Sequence, residues 1–206
     1  MAPATTVRTQ PGDALIVVDV QRDFLPGGAL AAPGGDAVVP PLNDYLARWE
    51  VAGWPTFATR DWHPRDHCSF IGFGGRWPPH CLAGEAGADF APTLRLPAAT
   101  IVVSKATRPE REALSGFSGT DLDALLRRAS ARRLIVGGLA TEHSVLATVR
   151  DARARGWPVV VLRNAIRPLH ATEGRRAEEH IERVGAVLAD AIAGRGAGTA
   201  VRSRAR

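Results

Sequence analysis

The chain has 206 residues, of which 45% are hydrophobic and 23% charged, the make-up of one globular domain with a sizeable core. Its formal charge is +5, but the arginines are scattered and no aromatic-interleaved basic patch appears, so specific nucleic-acid binding is not expected. No window approaches the roughly 18 uninterrupted apolar residues of a membrane span, and the opening MAPATTVRTQPG lacks the apolar segment of a secretory signal.

Residues 1–12 read as a flexible N-terminus and residues 13–193 as a single domain. The first apolar, β-branched run is ALIVVDV (14–20), with Asp19 near its end. A helical pattern runs from Asp36 to Gly53, and a second strand, PTFAT (55–59), leads to Asp61 and His63. Residues 60–99 break the pattern; they are rich in Gly, Pro, Trp and His, and loops of that length are usually functional. The strand TIVVS (100–104) ends against Lys105, and a short amphipathic helix covers Asp121 to Ala131. RLIVGG (133–138) is the fourth strand, followed by a helix from Thr141 to Arg155 with Gly156 as its C-terminal stop. PVVVLRN (158–164), a helix from Thr172 to Val184 that Thr172 could cap, and GAVLA (185–189) complete the series. The segment 194–206, GRGAGTAVRSRAR, reads as a flexible basic tail. The alternation predicts an α/β fold, a six-stranded mostly parallel sheet with helices on both faces. Cys68 and Cys81 make no disulfide framework and fit a reducing cytoplasm.

In open α/β sheets the ligand crevice lies beyond the carboxyl ends of the strands. Asp19, Asp61 with His63, Lys105 and Ser144 all fall there, on four separate segments. Asp19 sits within an apolar run, where an ionised carboxylate needs a partner; Lys105 is the candidate, which makes Asp19 a candidate general base. Of the 26 basic residues only Lys105 is a lysine, a compact point charge where a guanidinium would be planar and bulky. Asp61 and His63, two apart on an extended segment, can face the same side. With His67 or His80 as a third ligand they form a two-His, one-carboxylate site for a divalent metal such as Zn, Fe or Mn. Phe24, Trp62 and Trp77 lie near the same loops, where an aromatic pair can stack on a flat ring. GLATEH (138–143) leads into a helix start, whose amides can hold an oxyanion beside Ser144.

These segments resemble the nicotinamidase branch of the isochorismatase-like cysteine hydrolases. The resemblance runs from about Ala14 to Val187 and rests on ALIVVDVQRDF, PGGALAAPGGDAVVP, ATRDWHPRDHCSF, WPPHCLAGEAGADF, IVVSKAT and VGGLATEHSVLATVRDA. It implies a Rossmann-like six-stranded sheet, hydrolysis of nicotinamide to nicotinate and ammonia, and a place in NAD salvage. By the same resemblance Asp19 and Lys105 are catalytic, Asp61, His63 and His80 hold the metal with His67 as a further candidate, and Phe24 and Trp77 hold the pyridine ring. It also implies a cis Leu139–Ala140 peptide and an oxyanion hole from the amides of Ala140 and Ser144. The expected partner is a small aromatic amide, with no nucleic acid and no membrane, and with homo-oligomerisation left open.

The departure is Ser144, which stands where the family has its nucleophilic Cys. An alcohol is far less acidic than a thiol and usually needs a well-placed base. His143 is next in sequence, but neighbours on a helix do not face each other. Three readings follow: an amidohydrolase with Ser144 as an unconventionally activated nucleophile, a thiol-free isochorismatase-type hydrolase, or an inactive relative that only binds its ligand.

Overall fold

Strand β2 (Asp13–Val18) is buried along its whole length, as only a central strand covered on both faces can be. Its side chains alternate between two cores: Leu15 and Val17 pack with α1 (Val39–Ala52) on one face, and Ala14, Ile16 and Val18 face the other. In this computed structural model, which describes residues 4–193, β2 is flanked by β3 (Thr56–Asp61) and β5 (Arg133–Leu139). Outside them lie β4 (Ile101–Lys105) on one side, and β6 (Val159–Arg167) and β7 (Val187–Ala189) on the other. The order is β4-β3-β2-β5-β6-β7, and every pairing is parallel. All six strands therefore stand where the alternation of the sequence predicts them.

The chain winds outward from β2 through β3 to β4, then returns to β5 on the other side of β2. The strand order thus reverses beside β2, the position at which such sheets open a crevice. Parallel register sets what meets there. Asp61 is the partner of Lys105 across β3 and β4, and Val18, one residue before Asp19, is the partner of both Thr59 and Gly138. Gly138 has φ 134°, and a Cβ there would lie 2.0 Å from the Val18 carbonyl oxygen, so only glycine fits this close approach.

Helix α1 begins with Pro at its first turn and ends on Gly53 in the left-handed region. A single 3-10 turn over Gly35–Val38 precedes it, so the regular helix starts later than Asp36. Helix α2 (Leu122–Arg128) and helix α4 (Ala171–Arg183) pack on the face opposite α1. The helix predicted from Thr141 is split into a π-helical turn over Thr141–Val145 and then α3 (Leu146–Ala154). Residues 60–99 carry two 3-10 turns, Ile71–Phe73 and Ala86–Ala88, and short bridges such as His63 with Leu82.

Two details lie outside the elements read from the sequence. Within the N-terminal segment, β1 (Thr6–Arg8) pairs in parallel with β8 (Ala191–Ala193) as a separate two-stranded ladder. Asp190 helps fix it, its carboxylate accepting the Thr5 amide while its own amide donates to the Thr5 carbonyl. Thr172 does not cap α4; His170 takes that position, with its amide bonded to Glu142 Oε1. The tail, 194–206, lies outside the described residues. No helix among the described residues is long and apolar enough to cross a membrane.

Candidate active site

Four strand ends deliver one buried cluster. Lys105, the last residue of β4, places Nζ 2.8 Å from Asp19 Oδ2 and 2.6 Å from Asp61 Oδ1. It also donates to Ser144 Oγ at 3.4 Å. The Lys105 and Asp19 side chains are fully buried, and that of Asp61 nearly so. One ammonium thus faces two carboxylates in a dry setting. Burial alone would push the lysine pKa down, but Asp19 and Asp61 outweigh it and hold it above the usual lysine value. Asp19 is also raised above the ordinary carboxylate value, because burial outweighs the pull of Lys105 and Asp61 adds repulsion.

The two oxygens of Asp19 differ. Oδ1 accepts the Thr59 hydroxyl at 2.6 Å. Oδ2 faces the Lys105 ammonium at 2.8 Å and has no other polar partner among the described residues. The backbone of Asp19 adopts φ 47° as the chain leaves β2 and turns away over the sheet edge.

Asp61, His63 and His80 are buried, with one potential ligand atom from each within 4.8 Å of the others. His63 shares Nδ1 with the His80 carbonyl at 3.0 Å, and His80 shares Nδ1 with the Pro78 carbonyl at 2.8 Å. A carbonyl can only accept, so each Nδ1 carries a proton and Nε2 is the atom each ring leaves for a ligand. His63 Nε2 faces Asp61 Oδ1 at 3.9 Å. Burial, and then the neighbouring His80, push the His63 pKa down to about 3, so this ring is neutral at working pH. The donor set is thus a carboxylate and two imidazoles oriented through Nδ1, which suits a divalent metal. His67 is not in this group. Its Nδ1 meets Ser69 Oγ at 2.7 Å and its Nε2 meets the Arg111 carbonyl at 3.1 Å, so both nitrogens have partners.

In front of the cluster lies a pocket of about 320 Å³, its open mouth included, lined by Phe24, Asp61, Trp77, His80, Ala140, His143 and Ser144. Leu30, Leu114 and Leu169 supply apolar wall. Phe24 leans on His80 with ring centroids 5.6 Å apart, and Trp77 meets His143 edge-on at 5.1 Å. Trp62 is not part of this wall; its ring lies under the Arg60 guanidinium at 3.7 Å. The Leu139–Ala140 peptide is cis, and the π-helical turn that follows carries Ser144, 4% exposed, to the pocket. Such turns are rare and gather at functional sites. His143 is turned against Trp77, and burial pushes its pKa down.

Three positioning contacts escape inspection of the sequence. Thr59 reads as one more β-branched strand residue. Gln21, fully buried, holds the backbone of Asp61 from both sides, donating to its carbonyl at 2.8 Å and accepting its amide at 2.8 Å. Asp23 Oδ2 accepts the Cys81 amide at 2.7 Å, which ties the loop after β2 to the His80 turn.

A parallel sheet with ionisable groups gathered beyond its strand ends is the plan of an open α/β enzyme. Residues 13–193 match the isochorismatase domain family. The nicotinamidase/pyrazinamidase of Mycobacterium tuberculosis is 41% identical over 158 residues, covering 72% of this chain and 83% of that protein. The nicotinamidase of Escherichia coli is 35% identical over 178 residues, with 76% and 84% covered. The crystal structure of the pyrazinamidase of Pyrococcus horikoshii in complex with zinc superposes with a TM-score of 0.84 at 44% identity, covering 86% of this chain and 98% of that one. That of PnC1 from L. infantum in complex with nicotinate gives 0.82 at 32%, covering 91% and 98%. The chain therefore belongs to the isochorismatase family, and within it to the nicotinamidase-type amide hydrolases.

Proposed function

We propose that the chain hydrolyses nicotinamide, or a close aromatic amide, to the carboxylate and ammonia, with Ser144 as nucleophile. The observation that carries this reading is the single ammonium of Lys105 against Asp19, Asp61 and Ser144 at once. Nicotinamidase relatives and the nicotinate held by the L. infantum structure support the substrate class.

Asp61, His63 and His80 would hold a divalent ion, as a carboxylate and two imidazoles oriented through Nδ1 suit it; zinc is present in the P. horikoshii relative. When bound, that ion supplies a Lewis-acidic anchor for a ring nitrogen. Phe24 and Trp77 hold the faces of the ring. Asp19 Oδ2 takes the Ser144 hydroxyl proton as Oγ bonds to the amide carbon. The amides of Ala140 and Ser144 receive the oxyanion, and the proton passes from Asp19 to the nitrogen as the C–N bond breaks and ammonia leaves. Water, deprotonated by Asp19, then attacks the Ser144 ester, and the proton passes from Asp19 to Ser144 Oγ as the acyl–oxygen bond breaks and the carboxylate leaves. Lys105 stays protonated throughout and keeps Asp19 ionised. A thiol-free isochorismatase-type reaction makes no use of the Asp61, His63 and His80 cluster, which is why it ranks second. The unpaired Cys68 and Cys81 support placing the protein in the reducing cytoplasm.

The test is ammonia release from nicotinamide by the unmodified chain, by Asp19→Asn and by Ser144→Cys. Turnover is expected in the unmodified chain, lost in Asp19→Asn and raised by orders of magnitude in Ser144→Cys. Nicotinamide bound without turnover, and no gain from the cysteine, refutes the proposal in favour of a binding role.

A further inference from the structure

A carboxylate that acts as a base has two chemically equivalent oxygens, and the fold here makes them unequal. Thr59 is fully buried on β3 and grips Asp19 twice: its carbonyl accepts the Asp19 amide at 3.2 Å, and its hydroxyl donates to Oδ1 at 2.6 Å. The other branch of Thr59 is wedged in turn. A Cβ built on Gly116 would come within 2.9 Å of Thr59 Cγ2, and Gly116 is itself held by Thr148, whose hydroxyl accepts its amide at 2.9 Å. A β-branched side chain has few χ1 states. With the methyl packed against Gly116, the hydroxyl has one direction left, toward Asp19.

We propose that Thr59 is a positioning residue that occupies Oδ1 of Asp19 and thereby commits Oδ2, the oxygen beside Lys105, to proton exchange with the nucleophile. The proposal rests on the reading of Asp19 as general base. It assigns two separable jobs to one side chain: the hydroxyl orients the carboxylate, and the methyl orients the hydroxyl. Without the donor, the carboxylate can rotate, and both oxygens compete for Lys105.

Two substitutions divide these jobs. Thr59→Val keeps the shape and removes the donor; Thr59→Ser keeps the donor and removes the wedge. Thr59→Val is expected to lower kcat about 10- to 100-fold, the range lost when an orienting partner goes, with KM within about twofold. Thr59→Ser is expected to stay within about fivefold of the parent kcat. A purely structural role predicts the reverse order, since valine preserves the packing that serine loses. Thr59→Ala serves as the loss variant if Thr59→Val does not fold.

The same series on the Ser144→Cys background gives a readout without turnover. The iodoacetamide alkylation rate of the introduced thiol, mapped by peptide mass, should fall in Thr59→Val and recover in Thr59→Ser. Asp19→Asn separates the two layers of the argument. If it retains turnover, Asp19 is not the base and the role of Thr59 falls with it. If it is inactive while Thr59→Val keeps kcat within about threefold, or Thr59→Ser is no better than Thr59→Val, the role of Thr59 alone is overturned.

Discussion

Lys105→Met tests the electrostatic centre of the site. The substitution keeps an apolar stem of similar length and deletes one charge from a buried group of three. Each contact, at 2.8 Å to Asp19 and 2.6 Å to Asp61, has a gross attraction of about 6 kcal/mol at an effective dielectric of about 20. Desolvation of the three ions consumes most of that, so the gross figure is not the expected loss. What the variant suffers is the cost of leaving buried carboxylates without their partner, about 3–5 kcal/mol. At about 2–4 °C per kcal/mol for a chain of this size, the melting temperature should fall by about 6–20 °C near neutral pH. The pH dependence carries the sharper test. The Lys105 pKa is raised by folding, so its contribution is complete below the unfolded lysine value and is lost only as pH rises through the folded one, above the assay window. In the variant the window moves to Asp19. Without the ammonium its folded pKa, already raised by burial, rises further above the unfolded value, so stability falls as pH rises and recovers as Asp19 protonates. The deficit of Lys105→Met relative to the parent should therefore shrink from about pH 8 to about pH 5. The measurement is thermal unfolding across that range after chelation, because a cation on Asp61 would mask part of the loss. A deficit under about 1 kcal/mol at neutral pH, or one unchanged across the range, refutes the reasoning.

His80→Ala should abolish binding of the divalent metal, whereas His67→Ala should keep about one ion per chain, because both His67 nitrogens already have protein partners; elemental analysis after gentle purification decides, and equal loss in both variants refutes the assignment. Ammonia release should have an acid limb above the ordinary carboxylate value of 3.8, since Asp19 must be ionised to act and burial raises its pKa; a limb at or below that value removes Asp19 as the base. Gly138→Ala should cost more than about 3 kcal/mol in urea unfolding, because its Cβ would meet the Val18 carbonyl oxygen at 2.0 Å. Gly27→Ala, with open space around it, should cost only the positive-φ penalty of about 1–2 kcal/mol, and equal losses would contradict the close-approach argument.

The sheet was legible because burial on both faces forces unbroken apolar runs, and six such runs are visible in the chain. The cluster was legible for a related reason. A charged residue at the end of an apolar run is costly unless the fold supplies a partner, so Asp19 and Lys105 each pointed to a neighbour. What stayed hidden was whatever a side chain does without contradicting its surroundings. Thr59 suits a strand on propensity alone, and only the register of β3 against β2 brings its hydroxyl to Asp19. Gln21 is an ordinary polar residue by type, and only the fold brings its amide to clamp Asp61. Thr6–Arg8 is too short and too polar to announce a strand, and its partner Ala191–Ala193 is as brief, so neither carries a period to detect. Thr172 was a reasonable cap by residue type, but the carboxylate of Glu142 had already fixed the chain at His170.

Three groups are candidates to take the Ser144 proton, and their contacts separate them. Lys105 is close enough at 3.4 Å, but two carboxylates hold it protonated, so it can only donate. His143 is adjacent in sequence, yet its ring is committed edge-on to Trp77, and a residue next in the turn cannot face its neighbour. Asp19 remains, with Oδ1 held by Thr59 and Oδ2 against the Lys105 ammonium. A carboxylate is a weak base for an alcohol, and burial is what strengthens it: the same desolvation that raises the Asp19 pKa narrows the gap to Ser144. On the proposed reading, then, the site compensates for a harder nucleophile with a drier base, and any substitution that lets water reach Asp19 should slow the serine protein more than its Ser144→Cys variant.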